Sequence, residues 1–380
     1  MKVAFYQPRH FNRTDRKTNP FFDPIISVCE KNGIPYRIYQ PYRRPDTGYP
    51  KVYSSQYLRK FVRFFRWGVG RFLHGKKEHE IDRLAGKVWN VLTFGRYRAD
   101  VYITIAYELY GVWTGINPKA RVVDVQHGLI CFGHWGYLDN DGTVSKFARQ
   151  FAERETWVAG DGYRKLFMRR PENAEWVARH VKVVGDCFGH VLREPDLDIP
   201  FEDRMVLFCL QLTDELSPVE LQDVLSRSMQ FLRELRAKGV GLENVVLRHH
   251  PRYSGVPDMK TLFAEFPEVR LSSLPLEELL RRTMVHVTFS STTVFDAAAY
   301  GVPTYLIASG KALPLGMNGV DWKNDFFYPF SCTSYEEIVR MVKHNQVDVV
   351  TKMHDWFSCF YRPFDHSAAL GLLCREESGK

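Results

Sequence analysis

The sequence predicts an α/β protein made of two αβα sandwiches, each with a parallel sheet, and a cleft between them. The chain has 380 residues, of which 45% are hydrophobic, enough for two cores of about 150 to 200 residues each. Short apolar strand patterns alternate with helical patterns, which favours parallel sheets covered on both faces. The alternation pauses in an acidic segment with two prolines, "LREPDLDIPFEDR", and then restarts.

The first half accounts for the N-terminal domain, which we assign to residues 1–192. Helical patterns occur at 24–32, 57–92 and 145–153. Strand patterns occur at 2–6, 36–39, 101–105, 122–126, 156–159 and 181–184. The acidic segment that follows predicts a linker at 193–204.

The same alternation resumes in the second half, which predicts a C-terminal domain at 205–350. Strand patterns occur at 205–210, 245–249, 269–271, 285–289 and 304–307, and helical patterns at 217–238, 276–282 and 294–300. Ser334 and Glu337 form a capping-box pattern ahead of one more helix. Residues 351–380 are read as a helical segment that is able to pack back on the N-terminal domain.

Positive charge is concentrated between residues 56 and 77, where seven Lys or Arg residues occur and no acid appears before Glu78. Apolar residues recur at helical spacing there and the cations fall on the other side, which predicts a basic amphipathic helix. The apolar positions are Leu58, Phe61, Val62, Phe65, Val69, Phe72 and Leu73. Either this stripe packs on its own domain, or the helix contacts an anionic membrane or an acidic acceptor.

Several protein classes fit the sequence poorly. No run of about 18 apolar residues occurs and the N-terminus does not resemble a signal peptide, so we expect a cytoplasmic protein, free or peripheral at the inner membrane. The seven cysteines are scattered without a C-x-x-C pair, which argues against a disulfide framework or zinc knuckle and favours reduced cysteines in the core. The formal charge is +8, but its concentration in one helix makes nucleic acid an improbable partner.

Ligands of parallel sheets bind beyond the carboxyl ends of the strands, so polar residues at those positions are candidate site residues. In "VTFSSTTVFDAAAYGVP", Ser290, Ser291 and Thr292 join a strand to a helix, where hydroxyls and free N–H groups favour an anion. The alternative is that these residues only cap the helix.

The stretch "VLRHHPRYSG" also follows a strand pattern. Alternation along a strand predicts Arg248, His250 and Arg252 on one side, facing a phosphate or carboxylate, and His249 against a covering helix. Pro251 ends the strand, and we add Gln211, beyond the first strand of this half, to the predicted donor-binding set. The alternative is solvated arginines beside a packed histidine.

Candidate catalytic groups follow other strands. In "VVDVQHGLICFGHWGYL", His127 follows a strand and could accept a proton at neutral pH, with His134 nearby in sequence. Glu108, Asp186 and Asp214 each follow a strand pattern and could act as base or nucleophile, or could only cap a helix or a turn. No H-x-x-H or acidic pair has ligand spacing, so we expect a metal-independent site without a cofactor.

The R-H-H-P and F-S-S-T-T segments, in two Rossmann-like halves, resemble the donor half of glycosyltransferases with the GT-B architecture. The pairing is similar to bacterial sialyltransferases, polysialyltransferases and Kdo transferases, which use CMP-activated sugars. The resemblance covers residues 205–307 and implies that His250 with Pro251, and Ser290, Ser291 and Thr292, contact the CMP. The "D-V-Q-H-G" segment resembles an element of capsule Kdo transferases and teichoic-acid glycerophosphotransferases, which implies a catalytic-cleft position for His127.

The resemblance implies transfer of a sugar from a CMP-activated donor to a surface-polysaccharide or lipid-linked glycan. The chain lacks the D/E-D/E-G element of many sialyltransferases, which favours Kdo or a related keto sugar acid. His127 or Glu108 would be the base of an inverting reaction, and Asp186 the nucleophile of a retaining one. Open alternatives are a UDP-sugar transferase, with Asp296 at the ribose, a CDP-glycerol-type glycerophosphotransferase and a non-hydrolysing nucleotide-sugar epimerase.

Overall fold

The computed structural model describes residues 1–8, 18–41, 49, 51–72, 76–151, 153–196, 199–200, 203–213, 216–251, 253, 255, 258–289, 291–307, 322–323, 325–330 and 334–375. The chain divides into two compact units. The first unit comprises Met1–Ile130, His134–His190 and Tyr361–Lys380, and the second comprises Cys131–Gly133 and Val191–Phe360.

Each unit contains one sheet in which all strand pairs are parallel. The first has β1 Val3–Tyr6, β2 Tyr36–Gln40, β3 Val52–Ser54, β4 Val101–Thr104, β5 Arg121–Val125, β6 Arg154–Val158 and β7 Val181–Val183. The second has β8 Met205–Cys209, β9 Val245–Arg248, β10 Arg270–Leu271, β11 Thr283–Thr288 and β12 Thr304–Leu306.

Helices lie between most successive strands, as parallel pairing requires, and three more follow the last strand. They are α1 Asp23–Lys31, α2 Gln56–Gly70, α3 Glu78–Leu92, α4 Tyr110–Ile116, α5 Lys146–Arg149, α6 Asp161–Phe167, α7 Ala174–His180, α8 Pro218–Ala237, α9 Lys260–Glu265, α10 Leu276–Leu280, α11 Thr293–Ala299, α12 Tyr335–His344, α13 Gln346–Phe360 and α14 His366–Cys374. No helix in the described ranges is long and apolar enough to cross a bilayer.

Strand order identifies where each sheet can bind a ligand. The first sheet runs β3-β2-β1-β4-β5-β6-β7 and the second β10-β9-β8-β11-β12. In each, the chain moves outward from its first strand, then returns and continues on the other side of it. Ligands of such sheets bind at this reversal, beyond the carboxyl ends of the strands. The reversal lies between β1 and β4 in the first unit and between β8 and β11 in the second.

The α/β class with two Rossmann-like units is confirmed, and the strand bounds differ from the sequence prediction by only one or two residues at most ends. The predicted helix at 57–92 is wrong in one respect, because it is two helices, α2 and α3. Gly68 and Gly70 weaken the end of α2, and Lys77 with Glu80 starts α3 in a capping box. The three-residue edge strand β3 carried no periodic signal and was missed.

The faces of α2 also differ from the prediction. Leu58, Val62 and Phe65 are buried, as expected, but Phe72 is exposed and Leu73 lies outside the described residues. Tyr57, Phe64 and Trp67 form a second aromatic stripe that is 64 to 68% exposed. The helix therefore has a buried face, a cationic face and an exposed aromatic face.

Helix α3 packs on α4 at unusually short range because glycines line the crossing. A Cβ on Gly86 would lie 2.2 Å from the carbonyl oxygen of Val112, and one on Gly115 would lie 2.1 Å from that of Arg83. Only glycine fits at such a distance. The contact fixes α4, whose first residue follows the loop at the end of β4.

The described cysteines are all free thiols. Cys29, Cys131, Cys187 and Cys209 are buried as expected, whereas Cys359 and Cys374 are exposed, which corrects the expectation of core positions for those two. Cys332 lies outside the described residues.

Candidate functional site

In the second unit, three elements converge at the carboxyl end of β8. Cys209 ends β8, pairs with Arg248 at the end of β9, and accepts a hydrogen bond through its carbonyl from the Thr288 hydroxyl of β11, at 3.2 Å. Burial raises the pKa of the Cys209 thiol to about 12, with Arg248 acting to lower it and Asp296 to raise it. Arg248 and Asp296 therefore both lie within electrostatic reach of this thiol, beside the strand reversal.

The hydroxyls after β11 have different roles. The Ser291 Oγ accepts a hydrogen bond from the backbone N–H of Thr293 at 3.3 Å, and the Thr293 hydroxyl contacts His286 Nε2 at 3.2 Å. Thr292 is exposed and makes no capping hydrogen bond, while Ser290 lies outside the described residues. Helix α11 has only seven residues, so its dipole is weak, and an anion bound here would depend mainly on the side-chain hydroxyls.

His286 is a structural residue that the sequence analysis missed. Its side chain is fully buried, and its Nδ1 lies 3.0 Å from the Thr304 hydroxyl of β12. Burial lowers the pKa of His286 to about 3, so the ring stays neutral. It links β11, β12 and the start of α11. A histidine inside the apolar pattern "MVHVTF" was the available signal.

The R-H-H-P stretch departs from the predicted alternation, because β9 ends at Arg248 and the following residues turn. The ring of His249 stacks on Tyr253 of the same loop, with centroids 4.0 Å apart, so its predicted packing against a covering helix is wrong. Burial lowers the pKa of His249. The carbonyl of His250 accepts from the Tyr253 N–H at 2.9 Å. Pro251 is exposed in this turn, and Arg252 lies outside the described residues.

The loop after β8 supplies two further polar side chains. Gln211 is buried there. The hydroxyl of Thr213 is buried without a hydrogen-bond partner among the described residues, and the sequence analysis did not single it out. A buried unpaired hydroxyl costs free energy unless a ligand satisfies it. The predicted catalytic residue Asp214 lies outside the described residues.

In the first unit, Glu108 lies in the loop between β4 and α4, and the residues around it have a strained backbone. Ala106, Tyr107 and Leu109 have φ angles of 56°, 60° and 60°, which side chains other than glycine rarely adopt. Such conformations cost on the order of 1 kcal/mol each and persist only where neighbouring structure imposes them. The loop therefore presents Glu108 at the strand reversal in a fixed backbone geometry.

A buried cation imposes this geometry. The guanidinium of Arg154 lies 4.4 Å from the ring centroid of Tyr107 and 5.3 Å from that of Tyr137, and donates to the Gly136 carbonyl at 2.9 Å. Asp124 accepts from the Tyr137 hydroxyl at 2.7 Å, and burial raises the pKa of its carboxyl to about 6. The charged residues in the buried strands "RETWV" and "RVVDV" were signals that the sequence analysis did not use.

A pocket of about 1250 Å³ opens beside this loop, entirely within the first unit. Glu108 lines it, together with a cationic wall and an aromatic wall. The lining residues are Pro41, Gln56, Arg59, Lys60, Val62, Arg63, Arg66, Lys77, Glu78, His79, Asp82, Ala106, Tyr107, Glu108, Leu109, Tyr110, Gly111, Trp135, Phe147, Gln150 and Phe151. The cations of α2 thus face a pocket.

His127 follows β5, the strand beside β4, so it shares the carboxyl edge with Glu108. The Gln126 amide holds this loop, donating to the Gly128 carbonyl and accepting from the Ala159 N–H, both at 2.9 Å. The ring of His134 packs 4.8 Å from that of Tyr137, and burial lowers its pKa. The catalytic role of His127 stays a prediction, and His134 packs against Tyr137.

Asp186 follows β7, at the far edge of the same sheet from β3. Its carboxylate accepts from the backbone N–H of Phe188 at 3.1 Å and from the backbone N–H of His190, and pairs with His190 Nδ1 at 2.9 Å. These contacts hold a turn. They favour a structural role, because a nucleophile needs an oxygen available to substrate.

Within the described ranges, no group of three His, Cys, Asp or Glu residues is placed to hold a metal ion. Metal independence and the lack of a cofactor stay predictions. Arg248 and the neighbouring threonine hydroxyls are the hydrogen-bond donors described at the carboxyl end of β8.

No family model matches the chain, and no curated protein is similar to it in sequence. The solved structures it is similar to include sucrose-phosphate synthase from Thermosynechococcus elongatus, at 12% identity over 98% of this chain and 97% of that one, with a TM-score of 0.48. The pneumococcal O-GlcNAc transferase is 9% identical over 98% of this chain and 97% of that one, with a TM-score of 0.49. A UDP-N-acetylglucosamine 2-epimerase is 13% identical over 98% of this chain and 94% of that one, with a TM-score of 0.46. Similarity at this level assigns no activity and no residue roles.

The buried His286 predicts a pH dependence for the second unit. Its pKa falls from an ordinary 6.5 to about 3, so the unfolded chain binds a proton that the folded unit excludes. The contribution of this group to stability is full well above pH 6.5 and is lost as the pH drops toward 3, with about 2 kcal/mol lost by pH 5. Denaturant unfolding of this unit should show a smaller loss in His286→Gln. His344→Gln, at an exposed histidine of the same unit, should behave like the parent; an unchanged pH profile in His286→Gln would contradict the assignment.

Proposed function

We propose that the protein is a glycosyltransferase that binds a nucleotide-activated sugar at the carboxyl edge of the second unit's sheet. The observation that carries this proposal is the convergence of Arg248, Thr293 and Asp296 around Cys209, beside the reversal between β8 and β11. This is the position at which open parallel sheets bind nucleotides. The resemblance of the R-H-H-P and F-S-S-T-T segments to donor-binding motifs adds to it.

The donor that we favour is a CMP-activated keto sugar acid of the Kdo or sialic acid type. Breaking its bond builds negative charge on the phosphate, which Arg248, the exposed Thr292 hydroxyl and His250 would stabilise. The CMP assignment rests on the motif resemblance. The unpaired Thr213 hydroxyl adds a donor at the same edge, which a phosphate or a nucleoside hydroxyl would satisfy.

For the transfer step we propose an inverting reaction with Glu108 as the base. Its carboxylate lines the pocket of the first unit, where it can accept the proton of an acceptor hydroxyl. His127, at the end of the neighbouring strand, is the alternative base. A retaining reaction through Asp186 is less favoured, because that carboxylate already accepts three hydrogen bonds within its own turn.

A UDP-activated donor is the second candidate, and Asp296 favours it. An acidic side chain close to the phosphate-binding groups is suited to accept hydrogen bonds from the ribose hydroxyls of a nucleotide. Asp296 lies in the first turn of α11 and acts on the same thiol as Arg248. The identity of the released nucleotide separates the two donors, and an epimerase would convert its nucleotide sugar without any acceptor.

The donor assignment predicts that Arg248→Gln weakens nucleotide binding by about 1.5 to 3 kcal/mol, the value of a hydrogen bond to a charged group. Calorimetric titration with CMP and with UDP measures this and reports the preferred base. The matched control is Arg233→Gln, an exposed arginine of the same unit that pairs with Glu265. Equal affinities of parent and Arg248→Gln for both nucleotides would remove the donor site from this edge.

The catalytic assignment predicts that Glu108→Gln lowers turnover by about 10²–10⁴-fold while nucleotide affinity is unchanged, because general base catalysis is lost and the donor site is not touched. Released nucleotide, measured with acceptor present, reports turnover. His127→Gln is the comparison variant. If His127→Gln loses turnover and Glu108→Gln keeps it, the base is His127.

We also propose that the exposed aromatic face of α2 lies on an anionic membrane, where a lipid-linked acceptor would be found. Tyr57, Phe64 and Trp67 are each 64 to 68% exposed, and Phe72 beyond them is 84% exposed. Exposed aromatic rings beside cations are typical of interfacial helices, and Arg71 lies 5.7 Å from the Trp67 ring. The lipid contact is therefore assigned to the aromatic face, since the cations Arg59, Lys60, Arg63 and Arg66 line the pocket.

The membrane proposal predicts that the double variant Phe64→Ser, Trp67→Ser no longer sediments with phosphatidylserine vesicles, because the rings that enter the interface are gone. Nucleotide binding should stay at the parent level. Val219→Ser, at an exposed apolar residue of the second unit, should sediment normally. Co-sedimentation of the double variant at the parent level would exclude this face as the contact.

A further inference from the structure

We propose that the pocket of the first unit binds an acidic sugar, a glycan end that carries a phosphate or carboxylate group. Calling this ligand the acceptor rests on the proposed function. Binding of the acidic sugar does not rest on it, because binding can be measured without transfer. It follows from three properties of the pocket: an excess of cations, a contiguous aromatic wall and a volume larger than one small ligand needs.

The cationic wall is only partly neutralised by the protein itself. Arg66 donates to both carboxylate oxygens of Asp82, at 2.7 and 2.6 Å, and pairs with Glu78 at 2.5 Å. That accounts for both acids of α3 in the lining. Arg63 is exposed and forms no ion pair with any described residue. Its neighbours Arg59 and Lys60 also line the pocket, so this wall is suited to an anion.

The aromatic wall is a run of neighbouring aromatic rings in the same lining. Trp135 lies 5.6 Å from Tyr107 and 4.8 Å from Phe147, measured between ring centroids, and Phe147 lies 5.3 Å from Phe151. Trp135 is 62% exposed, so one side of its ring is available to a ligand. A flat aromatic surface binds the C–H face of a sugar ring, and the neighbouring cations would then hold an acidic substituent.

The size of the pocket favours a glycan over a single ion. Its volume of about 1250 Å³ exceeds the roughly 300–1,000 Å³ of most small-ligand pockets. Glu108 also lines this pocket, and its backbone is held in place by the strained loop. An acidic ligand would tolerate this one carboxylate if the carboxylate accepts a hydrogen bond from a sugar hydroxyl.

Calorimetric titration with glucose 6-phosphate, glucuronic acid, glucose and inorganic phosphate tests the proposal. The two acidic sugars should bind at least about tenfold more tightly than glucose, because charge-assisted hydrogen bonds are stronger than neutral ones. They should also bind more tightly than inorganic phosphate, which cannot use the aromatic wall. Equal affinity for glucose, or for inorganic phosphate, would overturn the proposal.

Three variants separate the two walls. Arg63→Gln should remove the preference for acidic sugars, whereas Arg71→Gln, the control at the residue that follows α2 and lies outside the pocket lining, should keep it. Trp135→Ala should weaken glucose 6-phosphate at least about tenfold and leave inorganic phosphate unchanged. An equal loss in Arg63→Gln and Arg71→Gln would show unspecific attraction and overturn the proposal.

Two further arms identify the source of the anion and separate this proposal from the proposed function. If phosphatidic acid vesicles bind through Arg63 while soluble glucose 6-phosphate does not bind, the cations serve a lipid headgroup and the proposal is wrong. If glucose 6-phosphate binds through Arg63 in a protein that binds neither CMP nor UDP, the pocket assignment stands and the transferase assignment fails. If the protein binds CMP or UDP but shows no preference for acidic sugars, the nucleotide site stands and the pocket proposal is wrong.

Discussion

One buried cation, Arg154, supports the loop of the first unit that carries Glu108. It is enclosed by tyrosine rings and by the carboxyl of Asp124, and it also donates hydrogen bonds to the Gly136 carbonyl and the Thr156 hydroxyl. Gly136 must lack a side chain for Tyr107 to approach, because a Cβ there would lie 2.2 Å from that ring. The loop that carries Glu108 is therefore fixed by two contacts of Tyr107: its ring packs on the Arg154 guanidinium and against Gly136. The same loop lines the pocket beside the cations of α2 and the aromatic wall.

Much of this architecture follows from local sequence. Short apolar strands separated by helices predict two parallel sheets, and polar residues at strand ends predict where to look for ligands. The same rule explains why Glu108 and His127 share an edge: their strands are neighbours in the sheet. Length and alternation are properties of short segments, so they can be read without knowing what packs against them.

The parts that could not be predicted depend on contacts distant in sequence. Nothing local distinguishes the cations of α2 that face a pocket from those that face solvent, because that depends on where α3 and α4 pack. His249 was assigned to a covering helix, whereas the turn after Arg248 brings Tyr253 onto its ring. Arg154 and Asp124 lie in two neighbouring strands, and their pairing becomes visible only when these strands are placed side by side in the sheet. Buried charges in strands are the signal to pursue in such sequences.

The first unit is not continuous in sequence, because Tyr361–Lys380 belongs to it. Ala369 and Leu373 of α14 are part of its core, and the Arg121 guanidinium donates to the carbonyls of Leu372 and Leu373 at 2.6 and 2.7 Å. At about 5–20 residues per second, a ribosome needs roughly 10 to 40 s to go from His190, where the earlier part of this unit ends, to the end of α14 at Cys374. During that interval the apolar residues of α1 that α14 covers in the folded unit have no partner helix, so this unit completes its core only after the second unit has been synthesised.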